Sequence, residues 1–502
     1  MSDLSPVEPN TEAGASASGG LRRQVGLGTA VAIIVASMIG QGIFTTTGYI
    51  GHELQSPYWV LALWTVGGIL ALAGALSYAE LATRLPRSGG EYAYIRAAFG
   101  PLPGFLSGWS CLIAGFSAPI TLSALVCVEY AAAFFHDLHP KTGLQIALPA
   151  GGSVPLCNVV AAALIASITA VHMARVSSGL RLQEVLTAMK GAIILLLAAG
   201  AVLSGKADAT GLVASGDGPQ GGELAARLTT GLILVLLAYA GWNGATYVAA
   251  EVKDPRRTIP RATVAATIAV TLLYLAVNVV YLLAVPVTRM KPETTVAVDA
   301  AEAYFGLPGK QAMSAVIALT QLATISVFIL TGSRIYYAMA EDGVAPRRLA
   351  RLAGESRTPR EAVFFQGLVS IVMALWTDFF SLAQYAGAVL SAFTGLALAS
   401  LLVLRRRQGA SVPGAYRAPF GPLLPAGFLL VTAVILGFFV WQKLRDSPMD
   451  LLVALASLAA GLPVYWACSR AAQKAATPAT ESINSAGSAP GGASRDPRSP
   501  PR

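Results

Sequence analysis

Long apolar runs separated by short polar stretches dominate the chain. Twelve of these runs reach about the 20 residues that a helix needs to cross the apolar layer of a bilayer. Because unpaired backbone is not tolerated in lipid, we predict an all-α polytopic membrane protein with twelve transmembrane helices. The predicted segments cover residues 26–50, 58–83, 100–135, 155–174, 180–204, 226–251, 262–286, 311–340, 361–379, 383–404, 423–443 and 450–470.

The polar stretches between the segments indicate the orientation of the chain. With the N-terminus inside the cell, 20 Lys and Arg residues fall in cytoplasmic loops and 8 in external ones. Since cytoplasmic loops carry the excess of basic residues, we expect both termini to be cytoplasmic, in a plasma (inner) membrane. Residues 1–21 and 472–502 are rich in small and polar residues, and we predict disordered tails there, with no cleaved signal peptide.

Composition agrees with a membrane protein and argues against several other classes. The chain has 502 residues, of which 55% are hydrophobic and 12% charged, against about 25% charged in soluble domains. The net charge of +9 follows from the cytoplasmic loops, so we expect no nucleic-acid partner. No phosphate-binding loop, nucleophile motif or metal-ligand spacing occurs in the sequence, which predicts no enzyme activity, no cofactor and no metal.

We interpret two of the predicted helices, the first and the sixth, as broken near their middle. The first carries Gly40-Gln41-Gly42, and the sixth carries Gly241 and Gly244. Glycine weakens a helix by about 1 kcal/mol, and unwound backbone at mid-membrane is tolerated only where protein or a watery cavity satisfies it. Paired interruptions in corresponding segments indicate a transporter binding site. The alternative is that these glycines permit close helix packing.

The chemistry of such breaks suits a zwitterion. Backbone N–H groups at the start of the second half-helix, around Gln41 and Gly42, point at an anion and are aided by the helix dipole. Carbonyl oxygens at the end of the first half-helix can accept hydrogen bonds from an ammonium group. An α-amino acid carries both charges a few ångströms apart. Because neither break contains an acidic residue, a substrate with a neutral side chain is favoured.

Four stretches resemble the amino acid–polyamine–organocation superfamily, and within it the L-type amino acid transporters and their bacterial relatives. They are MIGQGIF at 38–44, GALSYAELATRLPRSGGEYAYIRAAFGPLPGFLSGW at 74–109, AYAGWNGATYVAAEVKDPRRTIPRA at 238–262 and TGSRIYYAMAEDGVAP…TP at 331–359. The resemblance implies the inverted-repeat fold of leucine-transporter type. It implies five-helix repeats at 22–204 and 224–407, with helices 1 and 6 broken, and two peripheral helices, 11 and 12, at 408–471.

The resemblance also implies a substrate site at the two breaks. The amides of Gln41 and Gly42 would bind a carboxylate, and the amino group would be received by the carbonyls of Met38, Leu237 and Ala240. Gln41 stands where relatives keep a small Ser or Thr, Leu237 where L-type members commonly place a gating phenylalanine, and Ala240 where glycine is frequent. The remaining members of the predicted site are Ile39, Gly40, Ala238 and Trp242. The last of these either closes over the substrate or packs.

Four charged residues are candidates for coupling or gating. Lys190 is the one charge deep in the fifth segment, where a buried ammonium group is costly. It either snorkels to the cytoplasmic interface or, as the resemblance implies, replaces the sodium of sodium-coupled relatives and carries the coupling proton. Glu80 and Glu251 are predicted either to be solvated helix ends or to form a cytoplasmic gate with arginines such as Arg334.

Together these features predict a secondary active transporter of amino acids, with neutral side chains favoured, that works by alternating access and is proton-coupled or an exchanger. The alternatives are a transporter of amines or another small metabolite, and a sensor that binds an amino acid without moving it. Some L-type relatives hold a single-span partner by a disulfide from the loop after the third helix. Residues 136–154 contain no cysteine, so no covalent heavy-chain partner is expected.

Overall fold

The computed structural model describes residues 23–86, 89–147, 153–174, 191, 195–292, 295–353, 359–409 and 412–471. Among these residues, ten helices are long and apolar enough to cross a membrane, as expected of a multi-pass membrane protein. More than half of the fifth predicted segment falls outside the described residues, as do both predicted tails and Lys190. The ninth predicted segment corresponds to a helix of 17 residues, which is not among the ten. The number of transmembrane helices, twelve, therefore stays a prediction.

The first part of the described chain contains helices α1 (Leu27–Met38), α2 (Gly42–Leu54), α3 (Pro57–Arg84), α4 (Glu91–Phe99), α5 (Pro101–Ser110), α6 (Ala118–Ala131) and α7 (Leu156–Ala174). A π-helical segment, Cys111–Ser117, joins α5 and α6 into one span. The apolar pattern did not predict α4, because a helix of nine residues is too short to cross a bilayer.

A short antiparallel pair of strands precedes α7. β1 (Gln145–Ala147) pairs with β2 (Ser153–Pro155), and Ile146 lies opposite Val154. The all-α prediction is wrong at this point. The pair lies in the connection between two apolar segments, where backbone that is not helical satisfies its hydrogen bonds by pairing.

The second part contains α8 (Gly221–Tyr239), α9 (Gly244–Tyr247), α10 (Pro255–Ala284), α11 (Val296–Glu341), α12 (Arg360–Trp376), α13 (Phe379–Gln408), α14 (Leu423–Asp446) and α15 (Pro448–Ala459). The sixth predicted segment is interrupted after α8, where only the four-residue α9 and a 3-10 turn, Ala249–Glu251, follow. α11 is kinked at Gly306, whose φ of 70° lies in the left-handed region that favours glycine.

The interrupted helices lie at the centre of the bundle. α1 and α3 both pack on α10, α2 packs on α8, and α6 packs on α11. Aromatic rings fill the space between these helices: Trp64 of α3, Tyr239 of α8 and Tyr274 of α10 are in mutual contact. α15 contributes no buried residue, which fits a peripheral helix whose apolar side chains face lipid.

Candidate functional site

The first break lies between α1 and α2. Ile39 ends α1 with a ψ of 75°, and Gln41 precedes the first residue of α2, Gly42. The chain bends tightly here, since the N–H of Gly40 donates to the carbonyl of Met38 at 2.8 Å. Within the described chain, the N–H groups of Gln41 and Gly42 have no hydrogen-bond acceptor. They stand at the N-terminus of a 13-residue helix, where an anion is favoured.

The second break follows α8. Ala240 leaves the helix with a ψ of 150°, and Gly241 has a φ of 106°, in the left-handed region. The N–H of Ala240 donates to the carbonyl of Leu237 at 3.1 Å, while no donor among the residues described reaches the carbonyl of Ala240. This break therefore exposes a carbonyl oxygen where the first break exposes N–H groups.

The two breaks pack directly against each other. A Cβ atom on Gly42 would lie 2.4 Å from the Cβ of Ala238, and one on Gly241 would lie 2.7 Å from the carbonyl carbon and oxygen of Ser37. Gly40 is less crowded, because the nearest atom to its Cβ would be 3.8 Å away. The glycines thus permit close packing of the two helices and also lie where both helices are interrupted.

A cavity opens where the breaks meet. Gln41 is 7% exposed, and its Oε1 accepts a hydrogen bond from Ser123 Oγ of α6 at 3.0 Å. The bulky side-chain amide is therefore held against α6, while the backbone N–H of Gln41 has no acceptor among the described residues. The residues that line the cavity include Met38, Gly40, Gln41, Gly42, Glu91, Leu237, Ala238, Ala240, Trp242, Asn243, Thr331, Ser391 and Thr394.

A second, smaller cavity adjoins the first. Gln41 and Leu237 line both cavities, whereas Phe379 and Phe380 line only the second. Leu237 is therefore part of the wall between them. Phe380 also contacts Tyr49 of α2, with ring centroids 5.0 Å apart. Aromatic side chains thus lie close to the position where L-type members commonly place a phenylalanine.

Most of the predicted substrate residues line the first cavity, but two need correction. Ile39 is 1% exposed and lies in the core rather than in the lining of the cavity. Met38 lines the cavity, yet its carbonyl already accepts from the Tyr274 hydroxyl at 2.5 Å and from the Gly40 N–H at 2.8 Å. Because a carbonyl oxygen has two lone pairs, it is fully used in this conformation. Of the three carbonyls predicted to receive an ammonium group, only that of Ala240 accepts no hydrogen bond from the described residues.

Trp242 packs in this conformation. Its ring meets the ring of Tyr78 edge-on, with centroids 4.6 Å apart, and lies against Gly74 of α3. It still lines the cavity. The two predicted alternatives for Trp242 were closure over the substrate and packing. In this structure Trp242 packs against α3.

Several lining residues were not predicted from the sequence. Thr331 and Thr394 come from helices far away along the chain, and no local pattern marks them. Glu91 is buried and also lines the cavity. It adds an acidic group to the lining of the cavity, whereas the inference from the sequence considered only the two breaks, which contain none. The available signal was its place directly after Gly89 and Gly90 in the SGGEYAY stretch.

An ion pair joins the end of the second broken helix to α11. Glu251 accepts a hydrogen bond from Nε of Arg334 at 2.9 Å, and the two side chains are 14% and 5% exposed. The prediction of a solvated helix end is wrong for Glu251. The alternative arrangement, a pair with Arg334, is the one that the fold forms.

Glu80 is also not solvated, because it is fully buried at the end of α3. Its carboxylate accepts from Arg84 at 2.9 Å, from Arg405 at 2.5 Å and from the N–H of Ala418 at 2.7 Å. The chain after α13 returns over the end of α3 and covers the carboxylate, so the prediction of a solvated end is wrong here too. The cluster ties α3 to α13 and to the residues before α14.

Two interrupted helices that meet at a cavity, one presenting N–H groups and the other a carbonyl, are typical of membrane transporters for small solutes. The sequence profile of the amino acid permease family matches residues 25–462. The chain belongs to the amino acid permease family. This membership confirms the predicted resemblance, and it makes the protein a permease rather than an enzyme.

Individual relatives are similar over most of their length. The chain is 31% identical to large neutral amino acids transporter small subunit 2 of Mus musculus, over 93% of this chain and 84% of the relative. It is 30% identical to the Homo sapiens protein of that name, over 93% and 83%. It is 29% identical to b(0,+)-type amino acid transporter 1 of Mus musculus, over 77% and 76%.

Proposed function

We propose that this protein is a secondary active transporter that moves neutral amino acids by alternating access. The observation that carries the proposal is the pairing at the breaks, where the N–H groups of Gln41 and Gly42 border the same cavity as the open carbonyl of Ala240. A zwitterion offers its carboxylate to the first and its ammonium group to the second. The relatives named for large neutral amino acids support this substrate class.

The membrane arrangement is part of the proposal. The chain lies in the plasma (inner) membrane with both termini cytoplasmic, as inverted five-helix repeats at 22–204 and 224–407 followed by two peripheral helices at 408–471. The breaks after α1 and α8 support the repeats, since each falls in the first helix of one repeat. Alternating access then consists of rocking around the site between the breaks.

Two barriers are proposed to close the site in turn. Leu237 lies in the wall between the two cavities with Phe380 beyond it, which suits an outer barrier. The pair of Glu251 with Arg334 suits a cytoplasmic barrier, because it holds the half-helix after the second break against α11. Glu80, with its two arginines, braces the end of α3 at the same face.

Reconstituted protein should carry labelled leucine into liposomes, and Gln41→Trp should abolish this uptake. The indole would occupy the cavity next to the N–H groups, and it cannot accept the hydrogen bond from Ser123. Gln41→Ser, which introduces the small hydroxyl of the resembling family, should still transport leucine with an altered order of preferred substrates. Full activity of Gln41→Trp would place the substrate elsewhere.

Coupling is proposed to depend on Lys190, which lies outside the described residues. Its ammonium group would stand in place of a sodium ion and, in a proton-coupled cycle, lose and regain a proton. Lys190→Ala should destroy leucine uptake or remove its dependence on pH, measured as the initial rate across a range of external pH. Unchanged pH dependence would leave Lys190 a structural charge. Lys310→Ala, which changes a half-exposed lysine, is the control.

The proposal includes no covalently attached partner. Two of the relatives are named small subunits, yet residues 136–154 of this chain contain no cysteine. Cys157 follows this stretch and is buried in the first turn of α7, with its Sγ 3.2 Å from the side-chain oxygen of Asn158. A thiol in this position is poorly placed for a disulfide with another chain.

A further inference from the structure

Glu91 is a buried carboxyl that none of the roles described so far uses. It begins α4 directly after Gly89 and Gly90, and it reaches the cavity between the breaks. The residue is 1% exposed. Burying an uncompensated charge is costly, so a carboxyl in the wall of a substrate cavity needs a physical explanation.

The carboxyl of Glu91 is held by polar groups from four other elements. Its Oε1 accepts from the hydroxyl of Tyr78 on α3 at 2.6 Å and from Nδ2 of Asn243 at the second break at 3.1 Å. Oγ1 of Thr394 on α13 lies 3.5 Å from the same oxygen, and Sγ of Cys111 lies 3.5 Å from Oε2. All four groups are neutral, so they position the carboxyl without cancelling a charge on it.

No cation faces this carboxyl in the part of the chain that the structure describes, whereas Glu80 and Glu251 each bind arginine. α4 lies between two candidate spans, and burial raises the pKa of Glu91 above its ordinary value. Phenols and thiols carry no charge near neutral pH. The titratable groups that face Glu91 are three tyrosines and one cysteine, namely Tyr78, Tyr94, Tyr247 and Cys111. Either a proton or a positively charged group that enters the cavity can therefore neutralise the carboxylate.

We propose that Glu91 selects the charge of the substrate: it holds a proton while a neutral amino acid is bound, and it releases that proton when a cationic amino acid binds. The inference rests on the proposed transport function and names a residue that determines the substrate class of the same site. In the exchange, the O–H bond of the carboxyl breaks and the proton passes to water on the open side. The side-chain ammonium group of the substrate then donates to the carboxylate.

The total charge enclosed by the cavity is the same in both cases. A zwitterion with a protonated Glu91 is neutral overall, and so is a cationic amino acid with an ionised Glu91. Closing the site over either substrate therefore adds no net charge to a region of low dielectric constant, where an uncompensated charge is costly.

The two substrate classes should respond to pH in opposite directions. A neutral amino acid requires the protonated carboxyl, so its affinity should fall about tenfold per pH unit above the pKa of Glu91. A cationic amino acid requires the carboxylate, so its affinity should rise with pH and level off above that pKa. A group that acts on both substrates alike, such as Lys190, would shift both affinities in the same direction.

Equilibrium binding of labelled leucine and labelled lysine to the purified full-length protein, from about pH 5 to 9, tests the inference. The wild-type protein should give opposite slopes, a result that needs no substitution. Glu91→Gln imitates the protonated carboxyl and keeps an acceptor for Tyr78. It should bind leucine without this pH dependence and lysine about tenfold more weakly or worse. Glu341→Gln is the matched control, because Glu341 also accepts from a tyrosine, Tyr337, at 2.6 Å, but is exposed.

The possible outcomes separate the inference from the proposed function. Affinities for leucine and lysine that change in the same direction with pH would overturn the inference and leave the transport function standing. Wild-type affinity of Glu91→Gln for lysine would do the same. A wild-type protein that binds neither amino acid at any pH would overturn the proposed function, and the inference with it.

Discussion

Gly241→Ala is expected to abolish transport. A residue with a Cβ atom held at a φ of 106° is strained by about 1–3 kcal/mol. The new atom would also lie 2.7 Å from the carbonyl carbon and oxygen of Ser37, which are backbone atoms and cannot turn aside as a flexible side chain can. Relief requires the two breaks to separate, and the N–H groups of Gln41 and Gly42 would then move away from the carbonyl of Ala240.

Uptake of labelled leucine by the reconstituted protein and the unfolding temperature in detergent measure this effect. Gly427→Ala is the matched control, because Gly427 lies in α14 with nothing within 4 Å of an added Cβ. It should transport like the wild type and be no less stable, since alanine favours a helix over glycine by about 1 kcal/mol. Normal uptake by Gly241→Ala would show that close contact between the breaks is not required.

Breaking the pair of Glu251 and Arg334 is expected to open the cytoplasmic side of the site. Glu251→Gln weakens a contact of 2.9 Å between side chains that are mostly out of water. Loss of one partner of a buried pair costs about 3–5 kcal/mol, because the other charge stays buried without compensation. If the pair forms only while this side is closed, the cost falls on the closed conformation. A shift in population of more than about 100-fold toward the open one follows, because 1.4 kcal/mol corresponds to a factor of ten.

Labelling of a cysteine introduced by Ser391→Cys, in the cavity, with a membrane-impermeant maleimide on the cytoplasmic side reports this opening. The rate should increase in Glu251→Gln and return toward the wild-type rate in the double variant Glu251→Arg, Arg334→Glu, which restores the pair in reverse. Glu302→Gln is the control, since its pair with a lysine has a distance of 2.8 Å but side chains 39% and 43% exposed, and such pairs contribute about 0–1 kcal/mol. Equal labelling in Glu251→Gln and in the control would argue against a gate.

Much of the fold and the place of the site could be predicted from the sequence. Apolar runs of bilayer length form helices, because a helix satisfies its own backbone hydrogen bonds in lipid. The breaks at Gly40-Gln41-Gly42 and Gly241 were predictable for a related reason, since glycines in the middle of two such runs weaken both helices at matching places. Both arguments use only neighbouring residues, which the sequence shows directly.

The hydrogen-bond partners of individual polar groups could not be predicted from neighbouring residues. The carbonyl of Met38 accepts from Tyr274, which lies 236 residues further along the chain. Glu80 has the sequence context of a helix end, yet Arg405 and Ala418 cover it from a distance of more than 300 residues. A sequence pattern indicates that a group is polar, but its partners depend on contacts between distant helices.

By itself, the sequence determined the membrane class of the protein, its family and the two positions where helices break. Only the tertiary structure decided that Ile39 turns into the core, that Trp242 packs on α3 and that Glu91 lines the cavity with no cation beside it among the described residues. The physical reason is that helix length and backbone conformation depend on consecutive residues, whereas compensation of a charge depends on which side chains the fold brings within hydrogen-bond distance.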